Sequence, residues 1–123
     1  MAAVERVEDL EVWRLSRTLA GKVFHLSRQG EFARDFGFRD QIRRAAVSIV
    51  SNIAEGFERS SPNQFLQFLD IARGSCGEVR TQLYLALDFG YIDRTQFQES
   101  FDDTIRVGKM ISSLIQYLRA LRK

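Results

Sequence analysis

Residues 62–89 read PNQFLQFLDIARGSCGEVRTQLYLALDF, and this stretch decides the fold class. Apolar and small residues recur in it at steps of four and three, as they do on one face of an α-helix. Ser61, Pro62 and Gln64 supply an N-cap, a proline at the first helical position and the glutamine of a capping box. The stretch therefore predicts one long helix. Its core-facing row is Phe65, Leu69, Ala72, Cys76, Val79, Leu83 and Ala86.

Three further stretches show the same periodicity, and none alternates apolar and polar residues as a strand would. Short joints near residues 60–62 and 90–93 indicate that neighbouring helices run antiparallel. The joint that follows Gly30 is longer and aromatic. The sequence predicts an all-α protein, an antiparallel up-down-up-down four-helix bundle that forms one domain over residues 1–123. The other helices are expected at residues 8–29, 39–59 and 94–121.

Two of the predicted helices carry a second apolar row beside the row that faces the core. A helix with two neighbours needs an apolar stripe of roughly 100°, and these rows exceed it. Exposed apolar rows of this size usually mark an interface. We expect the protein to self-associate through them, and Leu114→Asp to dissociate the assembly. The second rows are Leu66, Phe68, Ile71, Leu85 and Phe89, and then Val107, Met110, Leu114, Tyr117 and Leu121.

Composition excludes several classes of protein. The chain is 45% hydrophobic and has a single cysteine, which argues against disorder, a disulfide scaffold and a cysteine-based zinc finger. No apolar run approaches the ~18–20 residues of a membrane span, and the N-terminus lacks the pattern of a signal peptide. We therefore expect a cytoplasmic protein that does not interact with a membrane.

No arrangement of residues indicates catalysis, a cofactor or a metal site. His25 is the only histidine, so the Glu-x-x-His motif of di-iron bundles does not occur. Cys76 lies on the core row of its helix, where a thiol acts as a small apolar group. Gly74 and Gly77 lie inside a helical pattern rather than in a phosphate-binding loop. We expect no enzymatic activity and no cofactor.

The basic residues are the main candidates for binding a partner. Eighteen Lys and Arg against sixteen Asp and Glu give a net charge of +2, too little for indiscriminate binding of nucleic acid. Arginines nevertheless outnumber lysines fifteen to three, and arginine suits phosphate and carboxylate alike. In helices 8–29 and 94–121 acidic residues come first and basic ones last, which either complements the helix dipole or forms phosphate-binding patches. The candidate nucleic-acid contacts are Arg14, Arg17, Arg43, Arg106, Lys109, Arg119, Arg122 and Lys123.

Polar residues on one side of helix 39–59 predict a polar seam against helix 62–89. Buried polar groups are costly unless they are hydrogen-bonded, so these residues should have partners. We expect Arg44 to pair with Glu78 or Glu55, and Asn52 to bond across the seam. Either the seam fixes the register of the two helices, or Asn52 and Glu55 contact a ligand. The seam is expected to consist of Arg44, Ser48, Asn52, Glu55, Ser75 and Glu78.

The same stretch carries a resemblance to a known family. Residues 43–56, RRAAVSIVSNIAEG, are similar to the signature of the bacterial four-helix-bundle proteins encoded in 23S rRNA intervening sequences. Residues 10–13, 65–69 and 71–78 resemble that family too, in the same order along the chain. One departure is the start of the second helix, where the family usually has a threonine cap. This chain has Arg39 and then Asp40, whose charge still favours a helix N-terminus.

The resemblance implies a ring-like homopentamer in an rRNA-linked or RNA-linked setting. The chain also looks like the accessory protein of diversity-generating retroelements, a pentameric basic bundle that binds nucleic acid and a reverse transcriptase. The implied partners are further copies of the chain, RNA or DNA, and a reverse transcriptase or another protein. Repeating the +2 charge around a ring gives about +10 and adds avidity. We predict a non-enzymatic, oligomeric bundle that binds structured RNA through phosphate contacts. The alternative is a protein–protein scaffold or adaptor with no nucleic-acid role.

Overall fold

A computed structural model describes residues 4–121 of the chain, and within them it contains helices and no strand. A single 3-10 turn, Val7–Asp9, precedes the first long helix. Each long helix packs against the next one along the chain, and the last packs against the first, which closes the bundle. This is the predicted up-down-up-down four-helix bundle. The helices are α1 (Glu11–Ser27), α2 (Gly30–Arg34), α3 (Phe36–Phe57), α4 (Pro62–Asp88) and α5 (Arg94–Leu121).

The largest departure from the predicted elements lies between α1 and α3. Gly30, expected only to end the first helix, has a φ of +54° and starts the short helix α2. The next helix begins at Phe36, because the Asp35 side chain accepts a hydrogen bond from the Phe38 backbone N–H at 3.2 Å. Asp40 therefore lies inside α3 rather than at its N-terminus, which corrects the expected capping.

The joint between α4 and α5 follows the sequence signals. Gly90 has a φ of +77°, and the Tyr91 N–H donates to the Ala86 carbonyl at 2.9 Å. This is a Schellman ending, which needs the left-handed conformation that glycine adopts at low cost. Asp93 and Gln96 then form a reciprocal capping box with distances of 2.8 and 2.9 Å. The two helices are thus forced into an antiparallel hairpin.

The end of α3 and the start of α4 approach each other closely at Gly56. A Cβ at this position would lie 2.8 Å from Phe65 Cδ1 and 2.8 Å from Phe68 Cβ. Ser61 caps α4 as predicted, accepting from the Gln64 N–H at 3.2 Å. The glycine of the SNIAEG stretch is therefore a packing requirement of the α3–α4 contact.

The core runs along the bundle axis and contains the row predicted for α4. From Leu69 onward every member of that row is at most 1% exposed, whereas Phe65 at its start is half-buried. An ion pair joins α1 to α5, with Lys22 Nζ 2.8 Å from Asp103 Oδ2. Within the described part of the chain, no helix is long and apolar enough to cross a bilayer.

The second apolar rows divide between the interior and the surface, which corrects part of the prediction. Leu66 and Val107 are buried in the core of the protomer, so no second copy is needed to cover them. Met110 and Leu114 are half-buried and border a concavity with the start of α1. Leu114→Asp would therefore disturb the protomer itself. The members that stay exposed are Ile71, Leu85, Phe89, Tyr117 and Leu121.

Candidate nucleic-acid interface

A groove between α4 and α5 collects basic and hydroxyl side chains, and we call it the basic groove. Its volume is about 520 Å³. The α4 wall supplies two guanidinium groups, and the α5 wall supplies an ammonium group and two hydroxyls. All of these groups are hydrogen-bond donors, which suits an anion. The basic groove is defined by Arg73, Arg80, Lys109, Ser112 and Ser113.

Helical spacing explains why these side chains face one another. Arg73 and Arg80 are seven residues apart, which places them two turns apart on the same face of α4. Lys109 is followed by serines three and four residues later, the spacing of neighbours on a helix surface. Gly108 also lines the groove, and a Cβ there would meet nothing within 4 Å. The missing side chain leaves the groove open.

The basic groove holds little compensating negative charge. Arg73 Nη2 lies 3.0 Å from Asp70 Oδ1, but both side chains are well exposed, so the pair is weak. Within residues 4–121 neither Arg80 nor Lys109 forms an ion pair. A second concavity continues along the same two helices and is lined by Asp70 and Arg119. The two concavities together hold four cations and one carboxylate, a formal charge of +3 that exceeds the +2 of the whole chain.

An exposed aromatic ring lies one helical turn beyond the groove. Tyr84, four residues after Arg80 on α4, is 48% exposed. Its ring packs 5.0 Å from the Phe97 ring and 5.5 Å from the Phe101 ring, both on α5. These contacts fix the tyrosine and leave part of it free for stacking on a nucleobase.

Cys76, which lies at the base of the groove, has an unreactive thiol. Cys76 is 1% exposed, and its thiol donates to the Thr104 carbonyl at 3.3 Å. Burial raises the pKa of the Cys76 thiol above its ordinary value, which keeps the thiol protonated. A protonated thiol is a poor nucleophile, so Cys76 is not activated for nucleophilic attack.

The predicted basic residues at the C-terminal end of the chain lie partly in this region. Lys109 lines the basic groove, and Arg119 lines its continuation. Arg106 is exposed on the same helix, α5. Arg122 and Lys123 lie outside the described residues. The α4 arginines were missed as binding candidates, although their seven-residue spacing was a visible signal.

The other predicted basic residues lie on α1 and α3 and are engaged locally. Arg14 donates to a backbone carbonyl at 2.9 Å, and the Arg17 guanidinium lies 5.7 Å from the centre of the Trp13 ring. Arg43 Nε donates to Ser27 Oγ at 2.6 Å. The eight predicted contacts therefore do not form one patch, and part of the arginine excess serves packing.

The predicted polar seam between α3 and α4 centres on two serines. The Ser48 and Ser75 hydroxyl oxygens lie 2.8 Å apart and form a hydrogen bond between the helices. Asn52 Nδ2 donates to the Ser48 carbonyl at 2.8 Å and to its hydroxyl at 3.0 Å. Asn52 thus bonds within its own helix, and the expectation that it bonds across the seam is wrong.

The expected ion pair of Arg44 does not form within the described residues. Glu55 pairs instead with Arg59 at 3.0 Å, four residues later and just past the end of α3. A pair between residues four apart at one helix end does not require a second helix to be positioned, which favours it over a partner on α4. Arg44 and Glu78 are both exposed and border one shallow concavity beyond ion-pair distance. Across residues 4–121 no three His, Cys, Asp or Glu side chains lie close enough to hold a metal ion.

Comparison with known proteins places this arrangement in context. A family model described as 23S rRNA-intervening sequence protein matches residues 8–113, a range that includes the whole basic groove. Among solved structures, a protein of unknown function from the S23 ribosomal protein family of Bacteroides thetaiotaomicron VPI-5482 is similar, with a TM-score of 0.78 and 26% identity. The similarity covers 85% of this chain and 97% of that one. No curated protein matches significantly in sequence.

Proposed function

Because the chain belongs to the 23S rRNA-intervening sequence protein family, we propose that it is a non-enzymatic bundle that binds structured RNA through phosphate contacts in the basic groove. The observation that carries the proposal is the positive charge of the two α4–α5 concavities, whose linings together contain four cations and one carboxylate. The family name links its members to rRNA, and the groove supplies the chemistry of a polyanion site.

The composition of the groove favours recognition of the RNA backbone rather than of base sequence. Guanidinium and ammonium groups neutralise phosphates, and each neutralised phosphate releases counterions. The serine hydroxyls add donors that suit phosphate oxygens. Tyr84 provides one stacking surface at the end of the groove.

Self-association is the second part of the proposal. The exposed members of the second apolar rows are the ones that a partner copy could cover, and their exposure is 38–56%. They are Ile71, Leu85, Phe89, Tyr117 and Leu121. We propose a ring-like homopentamer, as the family resemblance implies. Several grooves in one assembly would raise a weak phosphate affinity through avidity.

A salt titration of RNA binding tests the groove. Fluorescence anisotropy with a labelled RNA hairpin should show binding at ~50 mM salt that weakens steeply as salt rises. The double variant Arg80→Gln/Lys109→Gln should bind more weakly and lower the slope of log K against log salt by about two. Arg94→Gln is the matched control, since Arg94 is an exposed arginine outside the groove and outside the predicted contacts. Absence of binding at low salt, or equal loss in the control, would contradict the proposal.

One observation favours a second candidate, an adaptor that binds another protein. Phe36, Leu85 and Phe89 are exposed by 64%, 38% and 53% near the joints that connect α2 to α3 and α4 to α5. An apolar patch of this kind suits a protein partner. Affinity purification from nuclease-treated lysate separates the candidates, because a partner that stays bound without RNA favours the adaptor.

A further inference from the structure

A second group of basic side chains lies where the end of α1 meets the start of α3, on the face opposite the basic groove. The Arg43 guanidinium carbon lies 4.3 Å from the centre of the Phe24 ring, and that of Arg28 lies 5.5 Å from the same ring. The Arg39 guanidinium carbon lies 4.8 Å from the centre of the Phe36 ring. We call these five residues the arginine–aromatic cluster.

Local geometry holds the cluster in place. Phe24 lies in the last turn of α1 and Arg28, four residues later, caps that helix, while Arg39 and Arg43 are four apart on α3, so each pair lies on one side of its helix. Arg43 Nε donates to Ser27 Oγ at 2.6 Å, and that hydroxyl donates to the Phe24 carbonyl at 3.1 Å. The Arg43 side chain therefore bridges the two helices in a fixed orientation.

The cluster has a surplus of positive charge. Among its neighbours one carboxylate, Asp40, pairs with Arg39 at 3.0 Å. Burial lowers the pKa of Arg43, and the nearby charges of Arg39 and Arg28 lower that pKa further against the opposing charge of Asp40. The three guanidinium groups repel one another, and a bound anion would relieve that repulsion.

The two rings of the cluster remain accessible despite the arginines that lie over them. Phe24 is 48% exposed and Phe36 is 64% exposed. A guanidinium stacked on a ring keeps N–H groups at its edge for a phosphate. Exposed aromatic faces interleaved with cations are the features that bind single-stranded nucleic acid, whose unpaired bases can stack. A duplex hides its bases and uses only the cations.

We propose that the arginine–aromatic cluster binds an unpaired, single-stranded segment of RNA, with bases stacked on Phe24 and Phe36 and phosphates held by Arg28 and Arg43. This inference rests on the proposed function in taking RNA as the partner, and it adds a second site of different chemistry. The basic groove takes the phosphates of a folded RNA, and the cluster on the opposite face takes a tail or loop. One protomer then connects two segments of RNA.

Two labelled probes test the inference with the full chain: a single strand of about 12 nucleotides without self-complementarity, and a blunt-ended duplex of the same length, which has no loop. The variant Phe24→Leu/Phe36→Leu keeps apolar side chains but removes the rings. It should lower affinity for the single strand about tenfold or more and leave duplex affinity unchanged. The groove variant Arg80→Gln/Lys109→Gln should show the opposite pattern. Arg28→Gln, at an exposed position, should weaken single-strand binding and reduce its salt slope by about one.

The outcomes separate this inference from the proposed function. If the ring variant binds the single strand as tightly as the wild type, or loses both probes equally, the cluster is not a single-strand site, whatever the groove variant does. If the ring variant loses the single strand and the groove variant loses nothing, the cluster stands and the groove proposal fails. Displacement of the single strand by a polyglutamate peptide of equal charge would show that charge alone decides, and would overturn the stacking role. Thermal unfolding followed by circular dichroism must give wild-type transitions for the variants compared, and Arg28→Gln decides the matter if the ring variant unfolds.

Discussion

Replacing Gly56 with alanine should destabilise the bundle at the contact between α3 and α4. The added Cβ would lie 2.8 Å from Phe65 Cδ1, 2.8 Å from Phe68 Cβ and 3.3 Å from the Phe65 carbonyl oxygen. The Phe65 ring edge can rotate away, but Phe68 Cβ moves only with the backbone of α4. The helices must therefore separate locally to accept one methyl group.

The expected size of the effect follows from two opposing contributions. Overpacking at a close helix contact costs about 1–3 kcal/mol. Replacement of a helical glycine with alanine returns up to ~1 kcal/mol through helix propensity, and less here because Gly56 is next to the last residue of α3. The net loss should be about 1–2 kcal/mol, which lowers the midpoint of thermal unfolding by about 3–8 °C in a domain of this size.

Urea and thermal unfolding followed by circular dichroism measure this loss, with Gly74→Ala as the matched control. Gly74 lies in the interior of α4, and a Cβ there would meet nothing within 4 Å. Its replacement should stabilise the protein by up to ~1 kcal/mol. Opposite signs for the two substitutions are expected. A Gly56→Ala protein as stable as the wild type would refute the close-contact argument.

Three further predictions concern stability and assembly. Burial raises the pKa of Cys76, so the unfolded thiol loses its proton at a lower pH than the folded one. The free energy of unfolding should therefore fall as pH rises above about 9. In urea titrations at several pH values, Cys76→Ala should reduce that fall. Ser48→Ala and Ser75→Ala should each cost about 1 kcal/mol, and their double-mutant cycle should show clear coupling, whereas additive losses would contradict the shared hydrogen bond. Leu121→Asp should lower the oligomeric mass measured by light scattering while the protomer stays folded. Leu114→Asp should instead reduce helicity, since Leu114 is half-buried. An unchanged mass for Leu121→Asp would place the interface elsewhere.

The helices were predictable where their ends are set by local residues. Ser61 and Pro62 start α4 and Asp93 starts α5, each through contacts within a few residues. The start of α3 was not visible, because Asp35 is held in place by a residue far along the chain. Tyr91 donates to Asp35 Oδ2 at 2.7 Å across a separation of 56 residues. A pattern of neighbouring residues in the sequence does not predict a contact between residues this far apart.

The candidate site was only partly predictable for a similar reason. Lys109 is among the contacts predicted from the sequence, whereas Arg73 and Arg80 are not. Pairing of α4 with α5 brings all three together, and periodicity alone does not specify that pairing. The arginine excess predicts contacts with a partner, but it does not show which arginines also lie over aromatic rings. These are Arg17, Arg28, Arg39, Arg43 and Arg59.

The Tyr91–Asp35 bond has a mechanical consequence for the bundle. It latches the connection after α4 to the cap of α3, and the Tyr91 ring stacks 5.3 Å from the ring of Phe32 in α2. The hydrogen bond and the ring contact thereby hold together two connections that are far apart in the chain. When that end of the bundle unfolds locally, both connections must open in a single event. Amide hydrogens in α2 and around Gly90 should therefore exchange with solvent at the same rate.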